Sequence, residues 1–395
     1  MKLTYILGFL LFTSLLNAAQ SDAKSKAFLN AQEVWYGNNK EKLEAFIHHY
    51  GKQSPAYDPH HKPVAAFDWD NTVIKNDIGE ATLFWMVAHG KIYRPQNWAT
   101  MNSWLTEEAV QALNKNCNGA SPFLPTQNNA ACADLLLNIY NEEPLESGTS
   151  PWKPSPDPDR ILPSYAFYAQ LFQGYTPKEL RSFTEKALAL NLKNKIDTKQ
   201  KIGTKEYTAY VRIYTQMKDL IGALQRQGFD VWIISASIQP TVEVAAKKVG
   251  VAPDHVIGVR QTLSKEGTVT DAFEGCGPYP HGTKDIWSYR LGKRCWLNKV
   301  VFKIQDPQKM LEPAPILFAA GDSDTDFFFL KDATEGRLVI NRNKAELLCH
   351  AYHNADGKWL VNPMFIHPKP QKTSPYSCSS FQLPDQADTV FGLYP

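Results

Sequence analysis

The segment "PVAAFDWDNTVI", residues 63–74, carries an apolar run into Asp68 and Asp70 and then into Asn71 and Thr72. Asp, Asn and Thr are ordinary turn formers, so one reading is a strand that simply ends in polar residues. The spacing argues for more. Side chains at i and i+2 leave a strand on the same face, which sets two carboxylates close together at its carboxyl end. At roughly 4 Å and an effective dielectric of about 20, their repulsion is on the order of 4 kcal/mol. Such a pair calls for a cation, a shared proton or a function.

Two further apolar runs end the same way. "GFDVWIISAS" (228–237) brings Ser235 to a strand end, and "PAPILFAAGD" (313–322) leads into Asp322, Asp324 and Asp326. "DHVIGVR" (254–260) and "GRLVIN" (336–341) also read as buried strands. Helical patterns alternate with them: "YTQMKDLIGALQRQG" places Met217, Leu220, Ile221 and Leu224 on one face, and "QPTVEVAAKKVG" opens with a proline and closes with a glycine. Strands alternating with helices predict an α/β fold, a Rossmann-like doubly wound parallel sheet. In such sheets ligands bind outside the carboxyl ends of the strands, so the polar strand ends should be read together. At least four carboxylates could converge there with Ser235. Oxygen donors without nearby His or Cys point to Mg²⁺ rather than zinc.

The chain has 395 residues, 43% of them hydrophobic, enough for a large core, and its net charge of +2 includes no long basic block. Nucleic acid is therefore not an expected partner. The opening "MKLTYILGFLLFTSLLNAAQSDA" reads as a signal peptide over 1–19, its apolar stretch too short for a comfortable span. It predicts a periplasmic or secreted protein with no stable membrane insertion after cleavage. In an oxidising compartment the six cysteines would pair, with fifteen connectivities open; neighbours close the shortest loops, which favours Cys117 with Cys132, Cys276 with Cys295 and Cys349 with Cys378 among them.

The predicted division is an N-terminal helical segment over 20–62, a core built from 63–76 and 206–360, a helical and aromatic insertion over 77–205, and an irregular tail over 361–395. Within the insertion, Thr176 and Glu179 form the signature of a capping box before an apolar helical face.

Asp68-Trp69-Asp70-Asn71-Thr72, Ile233-Ile234-Ser235 and Gly321-Asp322-Ser323-Asp324-Thr325-Asp326, in that order, resemble the motifs of haloacid dehalogenase (HAD) superfamily phosphatases. The resemblance covers about 64–345. It implies that Asp68 is a nucleophile forming an aspartyl phosphate, and that Asp70 protonates the leaving alcohol and then activates water. It also implies that Ser235 binds the phosphoryl group, and that Mg²⁺ is held by Asp68, the Asp70 backbone carbonyl, Asp322 and Asp326. A lysine should tether the phosphoryl group; Lys299 is at the offset of phosphoserine-phosphatase-like members, with Lys303 and Lys284 as rivals. The insertion is implied to be a cap that selects substrate. Dehalogenases proper have no need of Asp70.

Within the superfamily "DNTVIKNDIGEA" and "SAS" most resemble bacterial phosphorylcholine phosphatases and, more distantly, phosphoserine phosphatases. The expected substrate is a small phosphorylated metabolite, and Asp77 and Glu80 follow the catalytic strand closely enough to meet a cationic alcohol moiety. Helix N-terminal charge is the plainer reading of both. Cap aromatics could box a quaternary ammonium, or simply form core. A phosphoserine or general acid phosphatase, and a non-catalytic binding protein of the same fold, are the alternatives.

Overall fold

The computed structural model describes residues 27–155, 157–278, 290–370 and 376. The signal peptide reading and Lys284 therefore lie outside the described residues, as does most of the tail.

Helix α1 (Asn39–Tyr50) leads into strand β1 (Val64–Phe67), and a tight loop returns the chain through the two-residue β2 (Ile74–Lys75). Helices α2 (Ile78–Ala88), α3 (Trp98–Met101), α4 (Glu107–Asn116), α5 (Ala130–Tyr140), α6 (Pro163–Gln170) and α7 (Pro177–Lys193) follow. The ribbon β3 (Lys199–Ile202) and β4 (Lys205–Thr208) comes next, and β5 (Arg212–Ile213) pairs back with β2. Then α8 (Thr215–Arg226), β6 (Asp230–Ile238), α9 (Gln239–Ala246), β7 (Val256–Val259) and the hairpin β8 (Gln261–Leu263) with β9 (Val269–Phe273). The last stretch is α10 (Leu291–Val300), β10 (Phe318–Gly321), α11 (Phe327–Asp332), β11 (Gly336–Asn341), α12 (Ala345–His353) and β12 (Trp359–Pro363).

Six strands form one parallel sheet in the order β12-β11-β10-β1-β6-β7. Both faces are covered, which is why β1 reads as four consecutive buried residues. Ala65 and Phe67 face a core shared with α1, α8 and α9, whereas Val64 and Ala66 face a core shared with α10, α11 and α12. Met217, Leu220, Ile221 and Leu224 are the buried stripe of α8. The doubly wound α/β prediction is met. One strand lies beyond the expected set: β12 pairs along β11 from Arg337↔Trp359 to Asn341↔Pro363, so residues 361–363, read as the start of an irregular tail, belong to the sheet.

Helices α2–α7 enclose a third hydrophobic core of their own, to which Val259, Val269 and Phe273 from around the β8–β9 hairpin also contribute. Thr176 and Glu179 make the expected capping box, with Glu179 donating its N–H to Thr176 and accepting from Thr176 N at 2.8 Å. Cys117–Cys132 links the end of α4 to α5, and Cys276–Cys295 links the segment after β9 to α10. Each closes a loop of 15 to 19 residues, for which restriction of the unfolded chain is worth about 3 kcal/mol. Cys349 is also disulfide-bonded, while Cys378 lies outside the described residues. Among the described residues no helix is long and apolar enough to cross a membrane.

Candidate active site

The sheet order places β1 between β10 and β6, so the polar ends of all three runs are neighbours. Phe67 is in register with Ala320 on one side and Ile233 on the other, and Asp68 N donates to Ala320 O at 2.9 Å. Beyond Asp68 the chain turns at once. Val73 N donates to Trp69 O at 2.9 Å, and Asn71, at φ 62°, accepts from Asn76 N at 3.1 Å. Asparagine tolerates this left-handed backbone, and the turn brings Thr72 back beneath the strand end. The Thr72 hydroxyl lies 2.8 Å from Asp68 Oδ2 and 2.9 Å from Asp322 Oδ1. It has one proton for two carboxylates.

Lys293, in the first turn of α10, is almost wholly buried and donates to Asp68 Oδ1 at 2.7 Å and Asp326 Oδ1 at 2.6 Å. Burial alone would lower its pKa, but Asp326 and Asp68 outweigh burial and hold it above the ordinary lysine value. Asp326 folds back so that its Oδ2 accepts from Asp322 N (3.0 Å) and Ser323 N (3.1 Å). Only glycine fits at position 321, since a Cβ there would lie 2.7 Å from Asp326 Cβ. Arg342, one residue past β11, donates through Nη1 to Asp322 Oδ2 at 2.6 Å. Burial pushes the Asp68 carboxyl up to about 6 against the pull of Lys293, and likewise raises Asp322 and Asp326.

Asp70 is held on its other side. Ile78 N donates to its Oδ1 at 2.8 Å, Ser237 Oγ to its Oδ2 at 2.8 Å, and Ser235 Oγ reaches the same oxygen at 3.4 Å. Burial, then the charges of Asp77 and Asp68, push this carboxyl well above its ordinary value.

These groups surround a cavity of about 60 Å³. At roughly 10–15 Å³ per water by that measure, it holds a few waters, room for a compact ester. Asp68, Asp70, Asp77, Ser235, Ser237, Lys293, Asp322 and Arg342 line it, with Tyr140, Tyr165 and Tyr168 forming the wall contributed by α5 and α6. The Tyr140 ring lies 6.3 Å from Tyr165 and 5.5 Å from Tyr168, centroid to centroid. The Tyr168 hydroxyl is buried beside Ser237 without a well-formed hydrogen bond. It can approach because residue 79 is glycine; a Cβ there would sit 2.2 Å from it.

No family model matches the chain. A phosphorylcholine phosphatase of Pseudomonas aeruginosa is 23% identical over 298 residues, which cover 70% of this chain and 74% of that protein. Among solved structures, a conserved protein of unknown function from Anaerococcus prevotii superposes with a TM-score of 0.64 at 22% identity, covering 85% of this chain and 94% of its own. Three motifs in order at adjacent strand ends, joined by a buried lysine, form the arrangement that the resemblance to haloacid dehalogenase superfamily phosphatases implies.

Not every residue anticipated for the site is brought to it. Asp68, Asp70, Asp322, Asp326 and Ser235 converge. Lys299 does not: its ammonium donates to Gly275 O at 2.8 Å and lies 4.6 Å over the Trp296 ring. Six residues along a helix are about 600°, so Lys299 lies about 120° around α10 from Lys293. Lys293 takes the place expected of Lys299. Lys303 is exposed beyond the helix end at φ 56°. A signal for Lys293 was present, since it shares a helical stripe with the buried Trp296 and Leu297. Ser237 was also overlooked, though it stands two residues from Ser235 on the same strand face.

Of the two acids assigned to substrate, Asp77 lines the cavity, and it is also the N-cap of α2, accepting from Glu80 N at 2.8 Å. Glu80 sits behind the wall and accepts from Tyr140 OH at 3.2 Å. Burial and the neighbouring Asp77 push Glu80 up to about 7. A carboxyl whose folded value exceeds its unfolded one binds protons more tightly when folded, so its contribution to stability falls as pH rises from about 4 to 7. Glu80→Gln is therefore expected to be more stabilising at pH 8 than at pH 5, by about 1–3 kcal/mol. Urea unfolding at the two pH values measures this, and an equal effect at both refutes it.

A divalent cation fits this site. Oxygens of Asp68, Asp322 and Asp326 all lie within 4.8 Å of one another, every one of the three residues is buried, and the donors are oxygen only. Asp68 and Asp322 already share the single Thr72 proton. Asp326 has Lys293 and two backbone N–H groups as partners, which leaves Asp68 and Asp322 as the better placed ligands.

Proposed function

We propose that this chain is an exported phosphoric monoester hydrolase that acts through an aspartyl-phosphate intermediate on a small ester of a cationic alcohol, with phosphorylcholine as the leading candidate. The observation that carries the reading is Asp68, paired with buried Lys293, in the same small cavity as an Asp70 that Ser237 and the Ile78 N–H hold in place and whose carboxyl burial pushes well above its ordinary value.

In the first half-reaction an Asp68 oxygen attacks phosphorus, a P–O bond to Asp68 forms, the ester P–O bond breaks, and Asp70 gives its proton to the departing alcohol oxygen. In the second, the Asp70 carboxylate takes a proton from water, the oxygen attacks phosphorus, and the bond to Asp68 breaks to release inorganic phosphate. Ser237 and the Ile78 N–H keep Asp70 oriented through both steps. Lys293 offsets the charge on Asp68, and Ser235 donates to the phosphoryl oxygens. Mg²⁺, held by Asp68 and Asp322 with the Asp70 backbone carbonyl and with Asp326 close by, would supply charge neutralisation at a nonbridging phosphoryl oxygen.

Support for the cationic alcohol comes from Asp77 and from the tyrosine wall, whose faces would each add about 0.5–2 kcal/mol for an ammonium. The relative from Pseudomonas aeruginosa favours the same substrate class. The disulfides suit an oxidising compartment, in keeping with export.

The test is hydrolysis of phosphorylcholine, phosphoethanolamine, phosphoserine, a sugar phosphate and an aromatic phosphate, with and without Mg²⁺. Phosphorylcholine should give the highest kcat/KM and chelation should remove activity. Asp77→Asn should raise KM for phosphorylcholine about tenfold more than for the aromatic phosphate, the equivalent of about 1.4 kcal/mol. Preference for the sugar phosphate would sink the substrate assignment, and binding without turnover of any ester would leave a non-catalytic protein of this fold.

A further inference from the structure

The cavity holds four carboxylates, Asp68, Asp70, Asp77 and Asp322, and two cations, Lys293 and Arg342. A phosphate dianion entering it needs donors that are not already engaged. Lys293 is buried between Asp68 and Asp326, two of its three donors in use at 2.7 and 2.6 Å. Arg342 differs. A guanidinium carries five donors in a fixed fork, and among the described residues only Nη1 has a protein acceptor, Asp322 Oδ2. Its side chain is 29% exposed where that of Asp322 is 2% exposed, so the remaining edge faces the cavity rather than the protein interior.

Its position follows from topology. Residue 342 comes immediately after β11, the strand next to β10 on the side away from β1, so its backbone stands one strand out from Asp322 and its long side chain reaches back over the strand ends. Planar paired donors match two oxygens of a phosphoryl group.

We propose that Arg342 is a phosphoryl-binding residue, donating from its free edge to the oxygens of the bound ester and of the product phosphate while Nη1 keeps Asp322 aligned. The inference rests on the phosphomonoesterase reading above. The competing role is alignment of Asp322 alone, in which case substitution would weaken the cation and leave phosphate untouched.

The experiment is titration calorimetry on the full exported chain with two probes, Mg²⁺ alone and inorganic phosphate in saturating Mg²⁺, for wild type, Arg342→Gln and Arg342→Lys. Glutamine keeps an N–H donor for Asp322 but loses the charge and the fork; lysine keeps the charge and loses the fork. The expected result is a Kd for phosphate at least about tenfold higher in Arg342→Gln and about threefold or more in Arg342→Lys, in the range of a lost charge-assisted hydrogen bond. The Mg²⁺ Kd should change by less than about threefold, and KM should rise more than kcat falls. Should the glutamine variant fail to fold by circular dichroism, the lysine variant alone decides. Unchanged phosphate binding, or Mg²⁺ binding weakened by the same factor as phosphate, overturns the proposal. If wild type hydrolyses esters and binds phosphate but the variants match it, only the role of Arg342 falls. If wild type does neither, the phosphomonoesterase reading falls with it.

Discussion

Asp68→Asn is expected to reduce turnover to below about 0.1% of the wild-type rate, a loss of at least about 4 kcal/mol of transition-state stabilisation. The amide is nearly isosteric with the carboxylate; its oxygen can still accept from Lys293, and its N–H can donate to the Thr72 hydroxyl while that hydroxyl donates to Asp322, so the fold should persist. It cannot attack phosphorus. The variant also removes the charge that Asp68 presses against Asp322, so its melting temperature in the absence of metal should not fall. Steady-state rates, acid-quench trapping of the phosphoryl-enzyme in wild type, and thermal melting check the three parts. Activity above a few per cent of wild type would remove Asp68 from the role of nucleophile.

Lys293→Met and Lys299→Met should behave oppositely, although the two lysines lie on one helix. The first leaves the buried Asp68 and Asp326 without their shared cation, and breaking a buried pair in this way costs about 3–5 kcal/mol. It should also lower kcat by at least a hundredfold, about 2.7 kcal/mol of barrier. The second removes a partly exposed ammonium from the face of Trp296, worth roughly 0.5–1 kcal/mol, and should leave kcat within about threefold. Urea unfolding with metal chelated, together with steady-state kinetics, reads both effects. If Lys299→Met were the inactive variant, the assignment of the tether to Lys293 would be wrong.

The Lys293 case shows where sequence reading stopped. Either lysine fits a position on α10, because a helix of ten residues presents candidates every three or four positions, and Lys293, Trp296 and Leu297 make an apolar stripe only if the lysine is accepted as an inward residue. An inward lysine is costly by itself. What makes it stable is the pair of carboxylates brought from β1 and from the turn after β10, residues 225 and 33 positions away in the chain.

Local periodicity was sufficient for the parts of the molecule that depend on neighbours in sequence. The apolar runs leading to Asp68, Ser235 and Asp322, the stripe of α8 and the capping box of α7 were all legible before any tertiary contact, because strand and helix periods assign faces within a single element; Asp70, beyond the end of β1 at Phe67, is placed by the turn and not by the strand period. The shortest-loop pairing of Cys117 with Cys132 and of Cys276 with Cys295 was legible for a related reason, since nearby cysteines close their loops at the smallest entropic cost. Which elements become neighbours was decided only by the packed sheet. Its order sets β11 beside β10 and so brings Arg342 to Asp322; its outer edge takes up β12 from what reads as tail; and the third hydrophobic core turns Tyr140, Tyr165 and Tyr168 over the strand ends. These contacts join residues far apart in the chain, and no local period carries information about which distant side chain will balance a buried charge.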